Sequence, residues 1–250
     1  GASFGRSFYI FDDYSVLREL SEKQMKAEGT LFSVRKAWWY IPRSHLGFGD
    51  RPKGTQGHSH FTAPNPPFGA VFTYHLSSDL QSKQEMRKAK EKNNDVDFPG
   101  WDVVEAERRE LDPKILLVVK NSNGNVIRRI NAPGKKGFHR VSWDLRYPSP
   151  MAVRLGENNN QMPGFMVAPG TFTVTMYKQV DGKTTQLSGL QEFQVVQLYE
   201  GALATDSPKQ VAKFWRKFEN VTRRGSAVQI ALDNTLNRVE SMRTALAQSK

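Results

Sequence analysis

A Gly-Lys-Thr triplet at 182–184, a His-x-His pair at His58 and His60, the neighbours Asp12 and Asp13, and the aromatic run Trp38-Trp39-Tyr40 are the groups whose type and spacing could do chemistry. The triplet would end a phosphate-binding loop only with a glycine five residues earlier and a helix after it. Neither is present, so Gly182-Lys183-Thr184 reads as a hairpin turn. An H-x-H pair on a strand aims both rings one way and can ligate a metal. His58 and His60, with His45 and His75 further off, sit instead in or near a Gly-rich loop with no carboxylate placed to orient them. Asp12 and Asp13 are adjacent, and adjacent side chains on a strand diverge, which suits helix capping better than acid/base work. Asn94-Asp95-Val96-Asp97 and Glu157-Asn158-Asn159-Asn160 offer oxygen ligands of the kind calcium takes, yet neither fits the twelve-residue calcium loop, and both fit turns. There is no Gly-x-Ser-x-Gly elbow and no cysteine, which removes thiolate chemistry, disulfides and cysteine-ligated zinc. The expectation is a chain without catalytic residues, metal ligands or cofactors. Trp38, Trp39 and Tyr40 remain as candidates for stacking a glycan, although consecutive strand residues cannot all face one partner.

The elements that would position these groups come from composition and periodicity. A chain of 250 residues with 38% hydrophobic content can bury one sizeable core or two modest ones. The net charge of +11 raises nucleic acid, anionic lipid and acidic glycans as partners. The excess is spread along the chain with no block of like charges, which argues against nucleic acid. No apolar run approaches the length of a membrane span, and the opening GASFGRSFYIFDD lacks a signal-peptide pattern, as expected of a cytoplasmic protein or of a mature or shortened chain.

SFYIF at 7–11 is strand-like, and Val16, Leu17, Leu20 and Met25 recur at helical spacing up to Gly29, read as a C-terminal stop. Residues 31–42 read as a tryptophan-rich strand and 43–61 as a long loop. Pro64, Pro66 and Pro67 lead into GAVFTYHL, which puts Ala70, Phe72, Tyr74 and Leu76 on one face. Residues 79–94 and 101–111 favour helices and form a solvated insertion. KILLVVK and NVIRRI flank Asn-Ser-Asn-Gly, a strong hairpin signal. FHRVSWDLRY, APGTFTVTMY and LQEFQVVQL supply further strands, with Phe172, Val174 and Met176 inward. About seven strands separated by turns predict an antiparallel β-sandwich.

At the C-terminus the period changes. Ser207-Pro208-Lys209-Gln210 offers an N-cap, a proline at the first helical position and a capping box. Val211, Phe214, Phe218, Val221, Gly225, Val228, Leu232, Thr235, Val239, Met242 and Leu246 then alternate at spacings of three and four, a heptad register held over five repeats. Trp215 and Leu236 widen the stripe. The unbroken register favours one helix, about 60 Å long at 1.5 Å per residue, over a hairpin broken near Gly225. A stripe of this length requires a covering surface. The predicted interaction residues are Phe214, Trp215, Phe218, Val221, Val228, Leu232, Leu236, Val239, Met242 and Leu246.

GRSFYIFDDYSVLREL resembles the strand that closes the last blade in bacterial sortilin-like, BNR-repeat β-propeller proteins labelled glycosyl hydrolases. Val16 stands where proline is frequent there. APNPPFGAVFTYHL is similar to the segment after that propeller, and GFHRVSWDLRYPSP with APGTFTVTMYKQVDGK resembles their Ig-like domain, akin to that of the flagellar hook cap protein. The resemblance implies the C-terminal part of a larger protein that is secreted, periplasmic or on the bacterial cell surface, with any active centre in the absent propeller. The expected fold is mainly β with added helices: an antiparallel Ig-like or fibronectin-III-like β-sandwich plus a long C-terminal helix. The expected divisions are a propeller-end strand, helix and linker over 1–63, a sandwich over 64–200 with a helical insertion at about 77–112, and the helix over 201–250. The expected role is a non-catalytic accessory module that docks on a protein partner or the missing propeller. The alternative is a carbohydrate-binding accessory portion of a glycoside-hydrolase-like enzyme.

Overall fold

A computed structural model describes residues 2–3, 7–8, 11–42, 65–92, 97–153, 162–200 and 206–249. The chain divides into two compact units, Gly1–Asp144 with Gly170–Glu200, and Leu145–Pro169 with Gly201–Lys250. His45, His58, His60, Pro64, the run 94–96 and the run 157–160 lie outside the described residues.

The first unit holds the strands. β1 (Ala2–Ser3) and β2 (Ser7–Phe8) form a small antiparallel ladder. β3 (Gly29–Leu31), β5 (Ala70–Leu76) and β8 (Gly137–Trp143) form a three-stranded sheet in the order β3-β5-β8. The second sheet has six strands, β4 (Ala37–Trp39), β6 (Lys114–Asn121), β7 (Val126–Ala132), β9 (Gly170–Val180), β10 (Lys183–Gln186) and β11 (Gln191–Gln197). Its path is β4-β11-β9-β6-β7, with β10 beside the far end of β9. One pairing departs from the expected antiparallel pattern, because β4 runs parallel to β11 with Ala37 opposite Val195.

Alternation builds the core as expected. Ala70, Phe72, Tyr74 and Leu76 are buried on β5, and Phe172, Val174 and Met176 on β9. Ile115, Leu117 and Val119 of β6 are buried with them. Each such large side chain stabilises the fold by about 1.5–3 kcal/mol on full burial. Rings of the two sheets meet: Phe72 lies 5.5 Å from Phe193, and Trp143 lies 5.4 Å from Phe172. Tyr74 places its hydroxyl usefully as well, donating to the Pro133 carbonyl at 2.6 Å. Gly69 is required where β5 begins, since its φ is +100° and a Cβ there would stand 1.9 Å from the Trp143 carbonyl oxygen.

The turns follow their sequence signals. Asp181 and Gly182 both have positive φ and join Val180 to Lys183 in a two-residue hairpin, the geometry of a type I′ turn. Asn121 Oδ1 accepts from the amides of Asn123 and Asn125, and Gly124 takes positive φ, closing β6 onto β7.

Three local expectations are corrected. The helix read from Val16 to Gly29 is two short ones, α1 (Ser15–Glu19) and α2 (Glu22–Lys26). Leu20 turns extended, and the Ser21 side chain caps α2 by accepting from the Gln24 amide, a local bond that competes with continued helix. Gly29 is not a helix stop but opens β3 opposite Leu76, where a Cβ would press on Leu187 and Met176 at 3.0 Å. The strand read over 31–42 is split, so that β3 and β4 enter different sheets. Asp13 does serve the start of α1, accepting from the Ser15 amide at 3.0 Å and from its hydroxyl.

Between β5 and β6 lie α3 (Lys83–Glu91), which opens on a Ser82–Glu85 capping box, and α4 (Trp101–Arg108). Almost without apolar side chains on α3, the two are tied by Arg87, which donates to both carboxylate oxygens of Glu107 at 2.7 and 2.8 Å and to Glu91 at 2.6 Å.

The second unit is built on α5 (Pro208–Gln248), one helix of 41 residues that passes through Gly225 unbroken. Ser207 and Gln210 complete the capping box, with Pro208 at its start.

Candidate interaction site on the C-terminal helix

The first three turns of α5 meet the segment 145–169 of the same unit. That segment forms a short ladder of its own: the Tyr147 amide donates to the Phe165 carbonyl at 3.0 Å, and the Val167 amide to the Leu145 carbonyl at 2.8 Å. Gly164 lies so close under the neighbouring backbone that a Cβ would stand 2.1 Å from the Tyr147 carbonyl oxygen.

Four side chains fasten the segment to the helix. Trp215 stacks on Phe165 with centroids 4.0 Å apart and planes within 15°. Phe218 meets the same ring edge-on at 6.4 Å. Arg216 lays its guanidinium 4.1 Å over the Tyr147 ring and donates to Glu219 Oε2 at 2.6 Å. Glu219, fully buried, accepts the Phe165 amide on Oε1 at 3.2 Å. A carboxylate taken from water must recover its hydrogen bonds, and here one backbone donor and one guanidinium supply them. Burial pushes the Tyr147 phenol above its ordinary range, with Arg216 pulling it down and Glu219 pushing it up. Further along, the Ala152 amide donates to Ser226 Oγ at 3.0 Å.

Beyond this clasp the helix face is open. From Ala231 to Ser249 every residue but Asp233 is exposed. Val221, Val228 and Leu246 are 69%, 68% and 71% exposed, and Leu232, Leu236, Val239 and Met242 are exposed alike. Of the predicted stripe, Phe214 is exposed and lies edge-on to Trp215, whereas Trp215 itself is half-buried on Phe165. Tyr147, Phe165, Arg216 and Glu219 were not singled out by the sequence. Their one signal there is the i, i+3 spacing of Arg216 and Glu219, which ordinary solvated helix faces share.

The aromatic run divides by strand alternation. Ala37 is buried, Trp38 is half-exposed with the Lys36 ammonium 4.4 Å over its ring, Trp39 is half-buried, and Tyr40 meets Phe68 edge-on at 4.9 Å. Of the three, Trp38 is the most exposed, at 41%. A groove of about 550 Å³ between α3 and α4 has Met86, Val103 and Ala106 in its lining together with the charged Lys83, Arg87, Lys90, Asp102 and Glu107. The Arg87 guanidinium holds the Glu107 carboxyl below the usual carboxylate range.

Among the described residues no three His, Asp or Glu side chains group as a metal site would need, and no helix is long and apolar enough to cross a membrane. His75 is buried beside Phe138 with no hydrogen-bond partner on Nδ1, and burial, Lys136 and His139 depress its basicity. No protein-family model matches the chain, and no curated protein is significantly similar to it.

Proposed function

We propose that the chain is a non-catalytic accessory module whose C-terminal helix docks on a protein. The observation that carries this reading is the exposed seam from Val221 to Leu246: apolar surface of this extent on a regular, capped helix marks an interaction face. The resemblance to the region after the propeller in sortilin-like, BNR-repeat proteins extends the proposal. On that reading the two sheets are an Ig-like or fibronectin-III-like sandwich, the parent protein is secreted, periplasmic or on the cell surface, and the docking surface is a protein partner or the parent's own propeller. The ring contacts between the sheets around Trp143 support the sandwich reading.

The test compares affinity purification on the immobilised native chain and on a Val228→Lys/Leu232→Lys/Val239→Lys variant of equal helicity. A defined set of proteins retained by the first and released by the second is expected. Identical retention by both would refute the helix as the docking face.

A second reading, carbohydrate binding, rests on the partly exposed ring of Trp38 beside the Lys36 charge. Glycan-array signal from the native chain that disappears in Trp38→Ala is its expected result. An array without signal removes it.

A further inference from the structure

The distal seam of α5 has a charge frame that specifies its occupant. In the heptad register the seam is Gly225, Val228, Leu232, Thr235, Val239, Met242 and Leu246. The positions that flank a seam are where two paired helices place their charges against each other. Along α5 the charged residues at those positions are Lys217, Arg224, Arg238 and Arg243, all exposed and all basic. The acidic residues of the helix, Glu219, Asp233 and Glu240, fall instead at the outer position next after Phe218, Leu232 and Val239. Of these, Glu219 is buried in the clasp, and Glu240 approaches Arg243 only at 3.8 Å with both side chains solvated.

This pattern weighs against a second copy of the chain. In a parallel pair Arg238 would face Arg243 of the other copy, and no antiparallel register brings an acidic flank against a basic one. It also weighs against a lipid surface. The distal seam is interrupted by Gly225 and Thr235 and has no aromatic residue between Ser226 and Ser249, whereas interfacial helices carry aromatic anchors on their apolar face.

We infer that the occupant is an amphipathic helix of a partner protein whose seam-flanking positions are acidic. This rests on the docking reading above and adds the partner's chemistry. The seam from Val228 to Leu246 is about 27 Å long at 1.5 Å per residue, so a partner helix of about three heptads covers it.

The test uses the full chain and two synthetic peptides of about 28 residues with the same Leu/Ile seam, one with Glu and one with Lys at the flanking positions. Fluorescence anisotropy is expected to show the Glu peptide binding about tenfold more tightly, which is about 1.4 kcal/mol. The preference should shrink as ionic strength rises. An Arg238→Glu/Arg243→Glu variant, checked for native helicity, should reverse it. Equal affinity, or tighter binding of the Lys peptide, overturns the acidic partner while leaving a docking face. Self-association abolished by Leu232→Lys assigns the face to a second copy, and sedimentation with phosphatidylglycerol vesicles but not neutral ones assigns it to lipid; either overturns the inference. A monomeric chain that binds neither peptide overturns this inference, while the docking reading stands or falls on the retention test above.

Discussion

Replacing Glu219 by alanine tests how the 145–169 segment is held. The Phe165 amide, 3.2 Å from Oε1, loses a charged acceptor in a part-buried setting, a loss of about 1.5–3 kcal/mol. Arg216 loses its 2.6 Å partner as well, but its head is half-exposed and turns to water, so that term is discounted to about 0–1 kcal/mol. Alanine's better helix propensity returns a few tenths, about 0.4 kcal/mol. The balance is a loss of about 2 kcal/mol, confined to the clasp because α5 keeps its caps and backbone bonds. Amide exchange read by NMR should then be about 30-fold faster at Phe165 and Tyr147, at 1.36 kcal/mol per decade. Trp215 fluorescence should shift towards that of a solvated indole. Glu219→Gln keeps the Oε1 acceptor and should cost about 1 kcal/mol or less. Unchanged exchange at Phe165 in the alanine variant, or equal damage from glutamine and alanine, would refute the reasoning.

Three further outcomes concern other parts of the chain. Gly225 sits within α5 with open space where a Cβ would go, so Gly225→Ala should stabilise the helix by about 1 kcal/mol, seen as a higher melting midpoint by circular dichroism. Trp143, buried against Phe172 and Phe193, should cost about 3–5 kcal/mol when truncated to alanine, measured by urea unfolding. His75 is held neutral, with its folded value depressed below the ordinary imidazole value of about 6.5. Its contribution is therefore fully present above that value and is lost as pH falls towards the depressed one, because the unfolded chain takes up the proton first. Urea midpoints should fall on acidification below about pH 6.5, and His75→Phe should flatten that slope.

The parts of this architecture that were legible are those specified by neighbours in sequence. Ser207, Pro208 and Gln210 announce the start of α5, and the three-four spacing carries it past Gly225, whose cost of about 1 kcal/mol does not break a helix of 41 residues. Asn123-Gly124 and Asp181-Gly182 announce hairpins because those residues accept positive φ. β10 escaped notice since Lys183, Thr184, Thr185 and Gln186 are all exposed, and the strand exists through backbone pairing with β9 rather than through an apolar face. The seam of α5 was visible as a pattern. Glu219 was not, because its burial depends on Phe165, a loop residue whose distance from it no local rule predicts. The parallel seat of β4 on β11 was hidden for the same reason: strand pairing between remote segments is decided by tertiary closure, not by propensity.

That seat has a consequence for how the polypeptide comes off the ribosome. Ala37 and the Val195 it pairs with lie 158 positions apart (195 − 37). At about 5–20 residues per second, Ala37, Trp38 and Trp39 emerge roughly 10–30 s before the strand that receives them. Through that interval the three residues have no strand to pair with, so this part of the six-stranded sheet closes only after most of the polypeptide has been made.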